Sequence, residues 1–187
     1  MKKLTLLAMA IGALLAFAIP AAASAATGQL TENGVPLKTG ATFLATSTNV
    51  TTTTEAGKLS CEKVTLDLIV SSNSSSGSAA SGSGTSSGCL LEGVNIPVNI
   101  TTITIKSITL SSTGGKATFS FTFDSEGAKL KDCTITGTNV PVTWTPGTDT
   151  VHIAGSVVGS GSGCPTSGTI AGDFTLETAD GTPLTID

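Results

Sequence analysis

A serine and a histidine are the first candidates for catalysis in this sequence. The stretch Gly84-Thr-Ser-Ser-Gly88 matches the Gly-x-Ser-x-Gly pattern, in which a tight strand-to-helix turn holds the serine, here Ser86, beside a histidine base. The match lies in a serine- and glycine-rich tract, where such patterns arise from composition alone. The single histidine, His152, lies on the predicted outward face of a strand. We therefore predict that Ser86 and His152 do not form a catalytic triad.

The densest group of carboxylates consists of Asp124, Glu126 and Asp132. Two carboxylates about 5 to 10 Å apart hydrolyse glycosidic bonds in many enzymes, and carboxylates also bind calcium. These acids flank a predicted turn at Glu126-Gly127, and the regular Asp-x-Asp-x-Asp-Gly spacing of a calcium loop is missing. We predict no catalytic, metal-binding or cofactor-binding residues and no cofactor. A glycan-directed extracellular hydrolase with paired carboxylates remains the alternative hypothesis.

Threonine-rich segments suggest a second alternative, surface adhesion or ice binding. Residues 99–105 read Asn-Ile-Thr-Thr-Ile-Thr-Ile, which resembles the Thr-x-Thr arrays of ice-binding proteins but lacks a regular repeat. Threonine is also an ordinary strand former. Flat aromatic platforms for sugars are not expected, because residues 26–187 contain one tryptophan, five phenylalanines and no tyrosine, and most of these rings fall on predicted core faces.

The four cysteines, Cys61, Cys89, Cys133 and Cys164, predict two disulfides. Zinc would require close Cys-x-x-Cys spacing or histidine partners, whereas four cysteines in an exported chain most simply pair. Three pairings are open on cysteine number alone. Two similar units, each a strand, a serine/glycine-rich passage and a closing cysteine, favour Cys61 with Cys89 and Cys133 with Cys164.

Residues 1–25 have the pattern of a secretory signal peptide. Two lysines precede an apolar run over residues 4–19, and small residues precede a predicted cleavage site near Ala25. The apolar run is shorter than the roughly 20 residues of a membrane span. We predict a secreted, extracellular protein with no membrane insertion of the mature chain, and the Met-Lys-Lys-Leu start is typical of bacteria.

The predicted mature chain is acidic, since seven lysines and no arginine stand against 13 acidic residues, a formal charge of −6. Nucleic-acid binding requires a basic surface that neutralises phosphates, so nucleic acid is not expected as a partner. Removing 25 of the 187 residues leaves 162, which suits a single domain over residues 26–187. We predict a monomer whose partner is an extracellular ligand or surface of unknown chemistry.

Short runs of threonine, valine and isoleucine, separated by turn residues, predict an all-β domain. Its architecture is predicted to be a disulfide-stabilised antiparallel β-sandwich or barrel, Ig-like or jelly-roll-like. The clearest strand, Ala117–Asp124, places three phenylalanines on one face. It is expected to pair with the preceding strand through a turn at Ser112–Gly115, and a phase change near Lys106-Ser107 predicts a β-bulge.

A second predicted hairpin spans Asn139–Ala154, with residues 146–149 as its loop. In this register Trp144 faces Val151 on the core side, and Thr143 faces His152 toward solvent. Residues 29–37 and 173–186 each contain a turn dipeptide followed by Pro-Leu, so both ends of the domain are expected to be hairpin-like. Residues 71–88, almost wholly serine, glycine and alanine, are predicted to form a flexible surface loop.

Several short motifs are similar to those of uncharacterised secreted β-rich proteins of actinobacteria. They are Gly57-Lys-Leu-Ser-Cys61, Cys133-Thr-Ile-Thr-Gly137, Trp144, and Gly163-Cys-Pro165 followed by Gly168-Thr-Ile-Ala-Gly172. The resemblance implies an extracellular disulfide-bonded β domain and supplies no catalytic or binding residues. The function we expect from the sequence is therefore non-catalytic, a binding or structural role outside the cell.

Overall fold

The computed structural model describes residues 26–187. Apolar and hydroxyl side chains alternate along many of the segments in this range. The predicted signal peptide, residues 1–25, lies outside this range. The described residues contain no helix and form 15 strands: β1 (Leu30–Glu32), β2 (Val35–Pro36), β3 (Thr42–Ser47), β4 (Thr51–Thr54), β5 (Gly57–Ser60), β6 (Lys63–Ser74), β7 (Gly77–Ser87), β8 (Leu90–Leu91), β9 (Ile96–Pro97), β10 (Asn99–Ser111), β11 (Gly114–Ser125), β12 (Leu130–Trp144), β13 (Thr150–Ser160), β14 (Ser167–Glu177) and β15 (Leu184–Ile186).

Eight of these strands form a closed antiparallel barrel. Their order around the barrel is β3, β6, β7, β10, β11, β12, β13 and β14, and the β14–β3 pairing completes the circle. Each of the eight pairs with the next barrel strand along the chain, and the last pairs with the first. This is the up-and-down arrangement. The all-β prediction is confirmed, and of the two predicted architectures the barrel forms. The Ig-like or jelly-roll-like detail is not confirmed.

The predicted strand of phenylalanines is confirmed as β11. Phe119, Phe121 and Phe123 all lie in the core, while the residues between them face outward. Closing a sheet of eight strands turns one face of every strand into the barrel interior, so inward positions must be filled by side chains or a small ligand. The core of this protein is therefore the inside of the barrel.

The predicted bulge in β10 is also confirmed. Ile105 pairs with Phe119 and Ser107 pairs with Thr118, so Lys106 is the extra residue. A bulge of one residue changes which face the following side chains occupy. As a result both Ile105 and Ile108 point into the barrel although their spacing is odd.

The β12–β13 hairpin has the predicted register. Val142 pairs with Ile153, Thr143 with His152, and Trp144 with Val151. Val142, Val151 and Ile153 are buried, whereas Thr143 and His152 are exposed. The apolar/polar alternation was sufficient to predict this register, because a slip of one residue would have moved every apolar side chain into solvent.

The prediction of a flexible loop over residues 71–88 is wrong. Residues 63–74 and 77–87 are the two strands of a hairpin, and β7 pairs with β6 on one side and β10 on the other. Small side chains bury little apolar surface by themselves, which is why composition suggested disorder. In the barrel, the two flanking strands supply both the apolar surface and the backbone hydrogen bonds.

The end of the barrel near the β6–β7 turn is covered by a small sheet of β1, β2 and β15, here called the end sheet. Leu184 and Ile186 in this sheet are 0% exposed. The predicted turn at Asn33-Gly34 joins β1 to β2, and a turn at residues 178–182 leads from β14 to β15. Both terminal segments are therefore folded across one barrel opening.

Two hairpins, β4–β5 and β8–β9, lie at the opposite end of the barrel. The β4–β5 hairpin continues the ladder along β14, and β5 pairs with β8. At this end the two predicted disulfides form, Cys61 with Cys89 and Cys133 with Cys164. Both pairings are confirmed. Disulfides of this kind persist in oxidising, extracellular environments. No helix in the described residues is suited to crossing a membrane.

Candidate functional site

An apolar cavity of about 110 Å³ lies inside the barrel. Its wall includes side chains from most barrel strands, and all of the larger ones are aliphatic or phenylalanine. Representative lining residues are Leu66, Leu68, Ile103, Ile105, Phe119 and Phe121. On each strand these side chains occupy every second position, so they all point to the inner face of the sheet. The cavity is thus a direct product of barrel closure.

The free volume of this cavity is due largely to the small inward residues of β7. Ser78 and Ala80 line it, and Gly82 and Gly84 occupy the next two positions of the same phase. Over this stretch β7 presents no inward side chain larger than serine or alanine. The neighbouring strands carry large inward residues, with Leu68 and Ile105 directly opposite Gly82. A strand of small residues between strands of large ones leaves free volume inside the barrel.

The cavity wall offers almost no polar chemistry. Among the described residues that line it, only Thr52, Ser78 and Cys61 have polar side chains, and none is charged. The hydroxyl of Ser78 donates to the carbonyl oxygen of Gly28 at 2.7 Å. Because a polar or charged group would lose its hydration here without compensation, the cavity suits an uncharged, apolar molecule. It is not suited to catalysis by proton transfer.

Sequence reasoning missed this cavity because it assigned residues 71–88 to a loop. Hydrophobicity offered no signal, because the inward residues Ser78, Ala80, Gly82 and Gly84 and the residues between them are all small. Phe119 and Phe121 of the cavity wall, by contrast, were predicted correctly on the inner face of their strand.

The structure separates the two catalytic candidates. Ser86 lies on β7 and His152 on β13, and four steps around the eight-stranded barrel divide these strands in either direction. They therefore occupy opposite sides of the molecule. The Gly-x-Ser-x-Gly stretch is a strand rather than a strand-to-helix turn, so the geometry that makes its serine a nucleophile is missing.

The acidic group Asp124, Glu126 and Asp132 lies around the β11–β12 turn. The Asp124 carboxylate accepts the backbone N–H of Asp132 at 2.6 Å, so one oxygen stabilises the turn. Glu126 and Asp132 are exposed. Among residues 26–187, no cluster of histidine, cysteine and acidic side chains is arranged to hold a metal ion. These acids act as turn and surface residues in this fold.

His152 has a partner that was not predicted from the sequence, Asp173 of β14. The Nδ1–H of His152 donates to Asp173 Oδ1 at 2.6 Å, and Asn49 Nδ2 donates to Asp173 Oδ2 at 2.9 Å. These hydrogen bonds, that of His152 first, lower the pKa of Asp173. His152 and Asp173 are 47% and 50% exposed. The pairing follows from the β13–β14 register, which places the two residues opposite each other.

The pair resembles the histidine–carboxylate half of a hydrolase triad. No described serine or threonine hydroxyl is hydrogen-bonded to His152, however. The pair lies on the outer surface of two adjacent strands, where His152 borders a shallow depression with Thr143 and Trp144. Its chemistry in this arrangement is to hold the neighbouring strands together by an exposed, charge-assisted hydrogen bond.

Replacing Asp173 with asparagine is expected to lower the free energy of unfolding at pH 7 by less than about 1 kcal/mol, the usual range for exposed pairs. Because the folded-state pKa of Asp173 lies below its ordinary value of 3.8, the carboxylate stabilises the protein above that value. The contribution is lost as pH falls through the folded-state pKa. Urea denaturation at pH 7 and about pH 2 measures this. An equal loss at both pH values would contradict the prediction.

The threonines of residues 99–105 lie on the outer surface of β10 and align with hydroxyl residues on neighbouring strands. Thr102 pairs with Thr122 and Thr104 with Ser120. Thr122 in turn pairs with Thr134, and their hydroxyl oxygens are 3.1 Å apart. The rows cross several strands of a closed barrel, so this hydroxyl surface is convex. A rigid flat lattice would contact only a few strands of it.

Comparisons of the chain with protein-family models, curated proteins and solved structures gave no match. The site is therefore defined by its own geometry: an eight-stranded antiparallel barrel with an apolar interior cavity and two disulfides at one end.

Proposed function

We propose that this protein is a secreted, non-catalytic barrel that binds a small, uncharged, apolar molecule in its interior. The observation that carries the proposal is the cavity of about 110 Å³ with its apolar wall. Eight-stranded barrels have an interior just wide enough for packed side chains or one small ligand. Export is part of the proposal and rests on the predicted signal peptide and the two disulfides.

The size of the cavity limits the ligand. An engineered cavity of roughly 150 Å³ lined by leucine, isoleucine and phenylalanine stays dry and binds benzene. The cavity here is of the same order and has the same kind of lining. A single ring or a short alkyl chain is therefore the class of ligand proposed, and a free carboxylate or ammonium group is excluded from the interior by its desolvation cost.

Binding is better supported than the hydrolase alternative. The densest group of carboxylates lies on the β11–β12 turn, where Glu126 and Asp132 are exposed and Asp124 accepts the backbone N–H of Asp132 at 2.6 Å. A glycosidase instead holds two carboxyl groups on either side of the glycosidic bond. Ice binding has less support as well, because the threonine rows follow the curve of the barrel. Adhesion through these rows to a flexible neutral glycan remains a second proposal.

The test is a pair of substitutions at adjacent positions of β7. Ala80→Leu places three additional carbons in the cavity, whereas Ala79→Leu places them on the outer face. We expect Ala80→Leu to weaken benzene binding at least about tenfold, since the ligand and the new side chain compete for the same volume. Ala79→Leu should change it less than about twofold.

Benzene titration followed by methyl chemical shifts in nuclear magnetic resonance spectra measures both affinities, and circular dichroism verifies that both variants are folded. Shifts at core methyl groups locate the ligand inside the barrel. Failure of benzene and other single-ring hydrocarbons to bind the unmodified protein would refute the proposed function. Equal weakening by both substitutions would place the ligand somewhere other than the cavity.

A further inference from the structure

The two ends of the barrel are closed in different ways. At the end sheet, the N–H groups of Thr27 and Gly28 and the Thr27 hydroxyl all donate to the carbonyl oxygen of Asp187. Asn73 Nδ2 at the end of β6 donates to the carbonyl oxygens of Leu30 and Leu37 at 2.7 and 2.9 Å. This end is closed by hydrogen bonds between the two terminal segments, and it is joined to the barrel by the Asn73 side chain and by backbone bonds between Ile186 and the β12–β13 turn.

At the opposite end, the closure depends on a short seam between the β4–β5 and β8–β9 hairpins. The seam is the β5–β8 ladder, which consists of two residue pairs, Leu59 with Leu91 and Ser60 with Leu90. One further backbone bond joins the N–H of Glu92 to the carbonyl oxygen of Lys58 at 2.7 Å. A ladder this short contributes little to stability, because each hydrogen bond within the protein replaces one made with water.

The side chains along the outside of the seam add little more. Lys58 Nζ and Glu92 Oε2 are 3.1 Å apart, and the two side chains are 45% and 43% exposed. Exposed ion pairs of this kind contribute little to stability, because water and salt screen the two charges. The described contacts across the seam are therefore few: two ladder pairs, one further backbone bond and one exposed ion pair.

The seam lies directly over the cavity. Leu59 of β5 lines the cavity wall, and its seam partner Leu91 packs against the same core. At the base of the seam, the Cys61–Cys89 disulfide joins the residue after β5 to the residue before β8. The two hairpins are thus covalently linked at their roots and only weakly joined above them, an arrangement that allows them to part without unfolding the barrel.

We propose that the seam between β5 and β8 is the portal through which the ligand enters and leaves the cavity. This inference rests on the proposed function. In the portal, Leu59 and Leu91 separate to open an apolar path, and the Cys61–Cys89 disulfide limits how far the hairpins move apart. The end sheet stays closed throughout.

A first test needs no ligand. Amide hydrogen exchange followed by mass spectrometry should show exchange at residues 57–60 and 90–92 at least about tenfold faster than at residues 30–32 and 184–186, because the seam opens locally while the end sheet does not. The reverse order of protection would overturn the portal. This result stands whether or not benzene binds, so it separates failure of the portal from failure of the proposed function.

The second test closes each end by an introduced disulfide. Lys58 and Glu92 are the next opposed pair beyond the seam ladder, and opposed antiparallel residues have the Cα separation that a disulfide needs. Thr31 and Thr185 are an opposed pair in the end sheet, with hydroxyl oxygens 2.8 Å apart. The variants are K58C/E92C and T31C/T185C, with K58S/E92S as the control for loss of the ion pair.

Benzene exchange rates from nuclear magnetic resonance line shapes are the readout. We expect K58C/E92C to slow association and dissociation at least about tenfold with little change in Kd, because a closed portal raises the barrier in both directions. T31C/T185C and K58S/E92S should exchange at least as fast as the unmodified protein. Slowing by the end-sheet disulfide, or unchanged rates in K58C/E92C with its disulfide verified by mass, would overturn the proposal.

Discussion

Replacing Cys133 and Cys164 together with alanine is expected to lower the free energy of unfolding by about 3 to 4 kcal/mol. The two residues are separated by 31 positions, and opening a loop of that length increases the entropy of the unfolded chain by this amount in the loop-closure treatment. Cys133 is 0% exposed, so alanine rather than serine avoids burying a hydroxyl group. Equilibrium denaturation in guanidinium chloride measures the loss.

The C61A/C89A variant is the matched comparison. Its cysteines are separated by 28 positions, so the entropic contribution of this disulfide is nearly equal to that of the Cys133–Cys164 disulfide. A greater loss of unfolding free energy for C133A/C164A would measure the packing that the fully buried Cys133 adds to the barrel core. A loss below about 1 kcal/mol for both variants would contradict the loop-entropy account of how these disulfides stabilise the fold.

Substitution of Gly82 by alanine is expected to destabilise the protein by about 1 to 3 kcal/mol, the range for overpacking a core. A Cβ atom at this position would lie 1.9 Å from the carbonyl oxygen of Asp67 on β6. This contact is with backbone, which cannot move aside without disturbing the β6–β7 ladder. Thermal and urea denaturation give the change in stability.

Ser83→Ala is the control, since Ser83 is the next residue of β7 and is exposed. Its effect should stay within about 0.5 kcal/mol. The two accounts of residues 71–88 predict opposite signs for Gly82→Ala, because glycine to alanine in a flexible loop stabilises by about 0.4 to 1 kcal/mol through the unfolded state. A stabilised Gly82→Ala variant would therefore refute the assignment of β7 to the barrel.

A comparison of β7 with β11 shows which strands could be predicted from the sequence. In β11, large apolar residues alternate with hydroxyl residues, so the period of a strand is visible and its inward face was predicted. In β7 the inward and outward residues are both small, so hydrophobicity contains no period to detect. The strand exists because β6 and β10 pair with it on both sides, a context that composition does not contain.

The candidate functional site was likewise predictable only in part. Phe119 and Phe121 of the cavity wall were predicted on the inner face of their strand, but the cavity itself depends on where β7 lies between its neighbours. His152 was predicted correctly as an outward residue, but Asp173 was not identified as its partner, because that contact requires the register of β13 on β14. The catalytic candidates Ser86 and His152 were separated by the same strand order.

The sequence by itself predicted several local features of this protein: the β10–β11 and β12–β13 hairpins, the bulge at Lys106, the outward position of His152 and, as the favoured pairing, both disulfides. Each follows from alternation, turn chemistry or repeated units within about 30 residues. Only the tertiary structure decided that β14 closes on β3, that β7 is a wall strand and that free volume remains inside. Those features depend on contacts between residues far apart in the chain, where the packed size of each neighbour, rather than the pattern of any segment, sets the result.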